Sequence, residues 1–236
     1  VFIAAFFFFF FSALPKSNTP ASNSQATPNE PQATSNQPAV TVDIQAAPSM
    51  TADEVYLAVH AAWAKLDTAG PRHVSQTSSG GGDAESTIEA DSVPPDYHQV
   101  VSIMGNTVAE QYIVGGVIYN NVQGAWTQTP GAGAALSTIG NFASGISDSL
   151  IYADGMVNGI EVINGSPAIV YSYSTTLKGL DAAPAQYKLW VDQTSGLPVK
   201  SENTDPDGMT IAQTITYDNS ITITLPAEAA NAPEAQ

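Results

Sequence analysis

The chain has 236 residues, enough for one or two domains with a well-filled core, and it sets 6 basic against 22 acidic residues for a formal charge of −16. Lys65, Arg72, Lys178, Lys188 and Lys200 are scattered, so no basic cluster exists to hold a nucleic acid, and the charge limits contact with anionic lipid surfaces to transient encounters. The absence of cysteine removes disulfides, thiol catalysis, Cys-ligated zinc and iron–sulfur clusters together.

Residues 1–14, VFIAAFFFFFFSAL, form a continuous apolar run that stops at Pro15-Lys16. It is short for a spanning helix and matches the h-region of a signal peptide, so it is expected to be either a signal peptide or an N-terminal anchor. Residues 15–48 are Pro, Ser, Thr, Asn, Gln and Ala with almost no large apolar side chains, the composition of a disordered linker. An exported protein follows, periplasmic or at the cell surface, with its folded domain expected over 49–226. The tail 227–236 has the linker's composition and is expected to be disordered.

The domain opens on a helix. Thr51 and Glu54 make a capping box, and Val55, Val59, Ala62, Trp63 and Leu66 fall on one stripe at helical spacing, before Gly70-Pro71 ends the element. The period then changes to two. Val108, Glu110, Tyr112 and Val114 alternate with Ala109, Gln111 and Ile113. Between Gly131 and Leu150 the spacing turns helical again, with Leu136, Ile139, Phe142, Ile146 and Leu150 set among Gly, Ala and Ser. This weak helix is expected to be either a movable lid or a loosely packed core helix.

Alternation returns with Ile169, Tyr171, Tyr173, Thr175 and Leu177 on one face. It continues through Tyr187, Leu189 and Val191 opposite Trp190, then Met209, Ile211, Ile215 and Tyr217, and finally ITITL at Ile221–Leu225. Leu197-Pro198 follows a turn at Ser195-Gly196, and a proline lacking its N–H fits best as the first residue of the next strand. Turn signals at Gly105-Asn106, Gly115-Gly116, Asn164-Gly165 and Asp207-Gly208 join these runs into an antiparallel meander. No strand–helix–strand rhythm appears, which excludes a parallel α/β sheet.

Chemistry is sparse. His60, His73 and His98 show no metal-ligand spacing, and no metal or other cofactor is expected. Asn203–Gly208 starts like a calcium loop, but its twelfth position is Thr214 and strand residues follow, so an Asp-Pro-Asp-Gly turn explains it better. Asn164-Gly165-Ser166 fits a glycosylation sequon and, more simply, a tight hairpin turn. No Gly-x-Ser-x-Gly elbow and no carboxylate pair in an apolar setting is present, so the chain is not expected to be an enzyme.

What remains is aromatic and apolar. Strands apolar on both faces need cover on both sides, and with one strong and one weak helix available the natural solution is a single sheet curled around them. The succession of Glu54–Leu66, Val93–Ser102, Tyr112–Gln128, Val157–Ser174, LWVDQTSGLPVKSE and Gly208–Pro226 resembles the bacterial LolA-like lipoprotein-carrier superfamily, including its LppX/LprG-type lipid-binding lipoproteins. The resemblance spans Thr51 to Pro226. It implies an α+β fold, a curled antiparallel β half-barrel of about ten to eleven strands enclosing an N-terminal helix and a short helical lid.

It also implies an extracytoplasmic, non-catalytic protein that binds or carries a lipid or the acyl chains of a lipoprotein. The alternative is a cell-surface sensor or a module recognising an envelope protein on the same fold. Many members carry a lipobox cysteine after the h-region; this chain has none, so a lipid anchor on that residue is excluded. Alternation nominates Trp63, Leu66, Tyr112, Trp126, Ile139, Phe142, Ile146, Tyr171, Tyr173 and Trp190 as lining the cavity and lid.

Overall fold

Helix α1 spans Ala52–Leu66 and starts where its capping box requires. The Thr51 N–H donates to Glu54 Oε2 at 2.8 Å and the Glu54 N–H to Thr51 Oγ1 at 3.3 Å, so two otherwise orphaned donors are satisfied reciprocally. Replacing Thr51 by alanine is expected to cost about 1 kcal/mol, read as a shift in the urea midpoint without a change in slope. The stripe Val55, Val59, Ala62, Trp63 and Leu66 is buried, as its spacing predicts. Lys65, in the last turn, donates to the Ser195 carbonyl at 3.0 Å and ties the helix end to a hairpin turn 130 residues away.

The computed structural model describes residues 46–66, 68–82, 84–130, 150–179 and 183–235. After α1 come eleven strands: β1 (Arg72–Ser79), β2 (Ser86–Val93), β3 (Asp96–Ile103), β4 (Asn106–Val114), β5 (Val117–Val122), β6 (Ala125–Pro130), β7 (Leu150–Ile163), β8 (Ser166–Leu177), β9 (Ala185–Asp192), β10 (Pro198–Thr204) and β11 (Thr210–Tyr217). A one-turn helix, α2 (Ala227–Ala230), closes the chain. The strands form one sheet in the order β6-β5-β4-β3-β2-β1-β11-β10-β9-β8-β7, and every pairing is antiparallel. This is a curled half-barrel, unclosed, with β6 and β7 as its two edges. Of the weak helical segment expected from Gly131 to Leu150, residues 131–149 lie outside the described residues, and Leu150 is the first residue of strand β7.

Turn chemistry fixes the hairpins. Asn164 and Gly165 both have positive φ, 51° and 84°, the pair of left-handed residues that a type I′ turn needs. In the β9–β10 hairpin Asp192 Oδ1 accepts from the N–H groups of Thr194 and Ser195, Gly196 takes φ 68°, and Pro198 is fully buried as the first residue of β10. The register shifts between Pro198 and Lys200, so the missing N–H falls at an irregularity in the ladder. Asn203 and Thr204 end β10, and the chain then turns over Asp205–Gly208, where Asp205 Oδ1 accepts from the N–H groups of Asp207 and Met209.

Alternation divides the sheet into a helix-bearing face and an opposite face. The first carries Val74, Ile88, Ala90, Tyr97, Ile113, Ile118, Tyr171, Leu189, Val191 and Ile215, which pack in one core with α1. The second carries a smaller core of Ala168, Val170 and Trp190 with Ile163 and Val199 against it.

Two expectations are corrected. Ile221–Leu225 alternates between partly buried and exposed residues but pairs with no strand, because β11 already has β1 and β10 on its two sides. The tail, expected to be disordered, docks on the edge strand β6. The Gln128 N–H donates to the Pro233 carbonyl and the Ala235 N–H to the Gln128 carbonyl, both at 2.9 Å, while Gln128 Nε2 donates to the Ala232 carbonyl at 2.8 Å. Ala229 and Ala232 are buried. Small side chains suffice here because backbone pairing along an open edge, which composition does not reveal, supplies the attachment.

Candidate functional site

The helix-bearing face opens into a cleft where the first turn of α1 meets β7 and β8. It has a volume of about 180 Å³ and is lined by Ala52, Asp53, Tyr56, Tyr152, Ala153, Gly155 and Tyr173. Helix and strand come close because Gly155 has no side chain: a Cβ there would lie 2.8 Å from the Ala52 carbonyl oxygen. The β7–β8 register shifts between Ala153 and Met156, and Asp154 takes φ 56°, with its carboxylate accepting from Ser174 Oγ at 2.9 Å. That irregularity gives the cleft its floor.

Four tyrosines run through and behind the cleft. The rings of Tyr56 and Tyr152 lie 4.5 Å apart at 49°, those of Tyr152 and Tyr173 5.9 Å apart at 36°, and those of Tyr173 and Tyr187 stack at 5.1 Å and 7°. Burial pushes the Tyr152 and Tyr173 hydroxyls well above the ordinary phenol range, with neighbouring phenols adding to the shift, so both rings stay neutral. A hydrogen bond from Trp63 opposes the shift at Tyr173 and joins that tyrosine to the helix core.

The residues nominated from sequence divide into three sets. Trp63, Leu66, Tyr171 and Tyr173 meet on the helix-bearing face, within or against the main core. Ile139, Phe142 and Ile146 lie outside the described residues. Tyr112, Trp126 and Trp190 sit on the opposite face from α1, and none of them is among the residues that line this cleft.

Tyr112 is adjacent to Ile113 of the main core and therefore points the other way, where it stacks on His98 at 4.1 Å and lies 5.9 Å from Trp126. Burial and the adjoining Glu110 carboxylate push its hydroxyl up to about 12. Trp190 donates its indole N–H to Glu161 at 2.8 Å and carries the Lys200 ammonium 4.3 Å above its ring. Both faces of this sheet bear aromatics, so size and alternation identify facing pairs but not which face holds the helix.

Several residues of the helix-bearing face were missed. Tyr56 is seven residues before Trp63 and shares its side of α1, a signal that was legible. Tyr152 follows the segment read as a weak helix, and only its pairing with β8 brings it to Tyr173. On the other arm of the sheet, Tyr97 donates to Gln99, Gln99 to Gln111 and Gln111 to Asn120, at 3.1, 3.3 and 2.7 Å. This polar ladder crosses β3, β4 and β5 on the helix-bearing face.

The opposite face holds a histidine between two carboxylates. His73 lies between Asp91, 2.8 Å from Nδ1, and Glu89, 3.0 Å from Nε2. Partial burial alone lowers the pKa of His73, but the hydrogen bonds and charges of Asp91 and Glu89 together raise it above the usual histidine value. A raised folded pKa contributes stability that is complete below the unfolded value, near 6.5, and is lost as pH rises through the folded value. Thermal melts are therefore expected to show stability falling on going from about pH 6 to about pH 8, with the slope reduced in His73→Gln.

The sequence matches no family model and no curated relative. Among solved structures, the chain is similar to lipoprotein LppX of Mycobacterium tuberculosis, at a TM-score of 0.53 and 12% identity, covering 74% of this chain and 100% of that one. It is also similar to the MucA/MucB complex structure of Pseudomonas aeruginosa, at 0.40 and 15%, covering 74% of this chain and 62% of that one. A third likeness is to a LolA superfamily protein of Nitrosomonas europaea, at 0.25 and 11%, covering 71% and 92%. At a TM-score above 0.5 the LppX likeness establishes a common fold, and at 12% identity it establishes the fold alone.

Proposed function

From the LolA-like, LppX-like half-barrel fold of this chain, we propose that it is an extracytoplasmic, non-catalytic binder of a hydrophobic ligand, a lipid or the acyl chains of a lipoprotein. The observation that carries this reading is the aromatic cleft between α1 and β7–β8, opening on the helix-bearing face of an unclosed sheet. At about 180 Å³ it is smaller than the roughly 300–1,000 Å³ of a pocket that encloses a whole small molecule. The ligand is therefore held in part: one end seats among the tyrosines and the acyl portion lies along the apolar side of the sheet. Burial of that portion supplies about 0.8 kcal/mol per CH₂.

The apolar N-terminal run and the polar stretch after it support export ahead of the folded body. The likeness to a lipoprotein supports the same compartment. The test is to recover the protein from its native host, then apply native mass spectrometry, organic extraction and titration with fluorescent fatty-acid probes. A bound lipid or a saturable probe signal is expected. Protein that is ligand-free and also fails to bind the probes would sink the reading.

A further inference from the structure

We infer that the cleft at the start of α1 binds a quaternary ammonium group, as the end group of a choline-like or betaine-like ligand. This deepens the reading above by naming what seats among the tyrosines, and it rests on that reading for the acyl portion alone.

Tyr56, Tyr152 and Tyr173 all line the cleft, their rings packed side by side at 4.5 and 5.9 Å, with Tyr187 stacked behind Tyr173. Neutral aromatic rings attract a cation, and an aromatic-lined cleft suits a quaternary ammonium because such an ion has no N–H to satisfy. The shifted hydroxyls of Tyr152 and Tyr173 keep those rings un-ionised and the attraction independent of pH near neutrality.

Charge selects the sign of the ligand. Among the described residues, Asp53 is the one charged side chain lining the cleft, and neither lysine nor arginine lines it. The N-terminus of α1 carries about half a positive charge from the helix dipole, which by itself favours an anion. Asp53 and Glu54 both stand in that first turn, and two full negative charges outweigh half a positive one. With a formal charge of −16 over the chain, the wider field also draws cations and repels free phosphate or carboxylate.

Size points the same way. The cleft, about 180 Å³, is small and has room for a compact group at the end of a ligand. The Gly155 approach fixes that size, because any side chain there would push the first turn of α1 away from β7.

The experiment titrates the full chain with choline and with its neutral isostere 3,3-dimethylbutan-1-ol, following tyrosine resonances by NMR. Choline is expected to shift the resonances of Tyr56, Tyr152 and Tyr173 saturably, with the isostere at least about tenfold weaker. Asp53→Asn, an exposed position, and Tyr152→Leu are each expected to weaken choline about fivefold or more, with circular dichroism reporting whether each variant is folded. Equal binding of the two probes, no choline binding at tens of millimolar, or an unchanged affinity in folded Asp53→Asn would overturn the proposal. If Tyr152→Leu fails to fold, the isostere ratio and Asp53→Asn decide alone. Choline binding in protein that takes no fatty-acid probe would leave this site standing and remove the acyl reading. Probe binding without choline binding would do the reverse.

Discussion

Replacing Trp63 by alanine is expected to lower the stability of the folded body by about 3–5 kcal/mol, the range for deleting a buried aromatic. Trp63 is 5% exposed on the inner stripe of α1, between Val59 and Leu66, and it packs in the core that joins the helix to both arms of the sheet. Its loss removes a large apolar contact and leaves a void that one helix over a curled sheet fills poorly. It also removes the hydrogen bond to Tyr173, whose hydroxyl lies in an environment short of water. Urea denaturation should show the drop as a lower midpoint. Trp63→Phe, which keeps most of the volume and loses the indole N–H, should fall between wild type and alanine. A loss below 1 kcal/mol in Trp63→Ala would mean that the helix is not docked as described.

The second large effect comes from the centre of the sheet, where β1 meets β11. Gln76 and Gln213 face each other across that pair, 8% and 4% exposed, and Gln213 Nε2 donates to Gln76 Oε1 at 2.6 Å. Gln213 Oε1 in turn accepts from Ser201 Oγ at 3.1 Å. Gln213→Leu therefore leaves the Gln76 carbonyl and the Ser201 hydroxyl without these partners in an apolar setting. A loss of about 1–3 kcal/mol is expected, more than the bond itself contributes, because an unsatisfied buried group bears its full desolvation penalty. The double variant Gln76→Leu/Gln213→Leu removes the pair and should recover at least half of that loss. A double variant no better than the single one would show that the amides contribute shape and not hydrogen bonding.

Much of the architecture was written in local patterns. The capping box at Thr51 and Glu54 and the apolar stripe on α1 act within a few residues, so sequence spacing reports them directly. The same holds for Asn164-Gly165 and for Pro198, whose missing N–H admits few positions in a ladder. Strand parity was legible too: Leu189 and Val191 do oppose Trp190, and Ile169 and Tyr171 do oppose Val170.

Which face was which could not be read. Tyr112, Trp126 and Trp190 were nominated because they are large and aromatic, yet the residues that choose the helix side are their neighbours Ile113, Leu189 and Val191. A period of two assigns residues to the same or opposite faces and carries no label for inside. The docked tail was hidden for a related reason: its attachment to Gln128 is made by backbone groups, to which Ala, Asn and Pro give no clue.

By itself the sequence determined the helix and its stripe, the antiparallel meander, the places of its turns and the absence of clustered basic residues and cysteine. These follow from short-range geometry and from composition, which need no knowledge of neighbours in space. Only the tertiary structure decided that the strands β1 and β11 close the sheet at its middle and leave β6 and β7 as edges. It alone brought Tyr56 of the helix, Tyr152 of β7 and Tyr173 of β8 around one cleft. The register of the neighbouring strands β7 and β8 and the close approach of Gly155 to Ala52, about a hundred residues away in the chain, set that meeting.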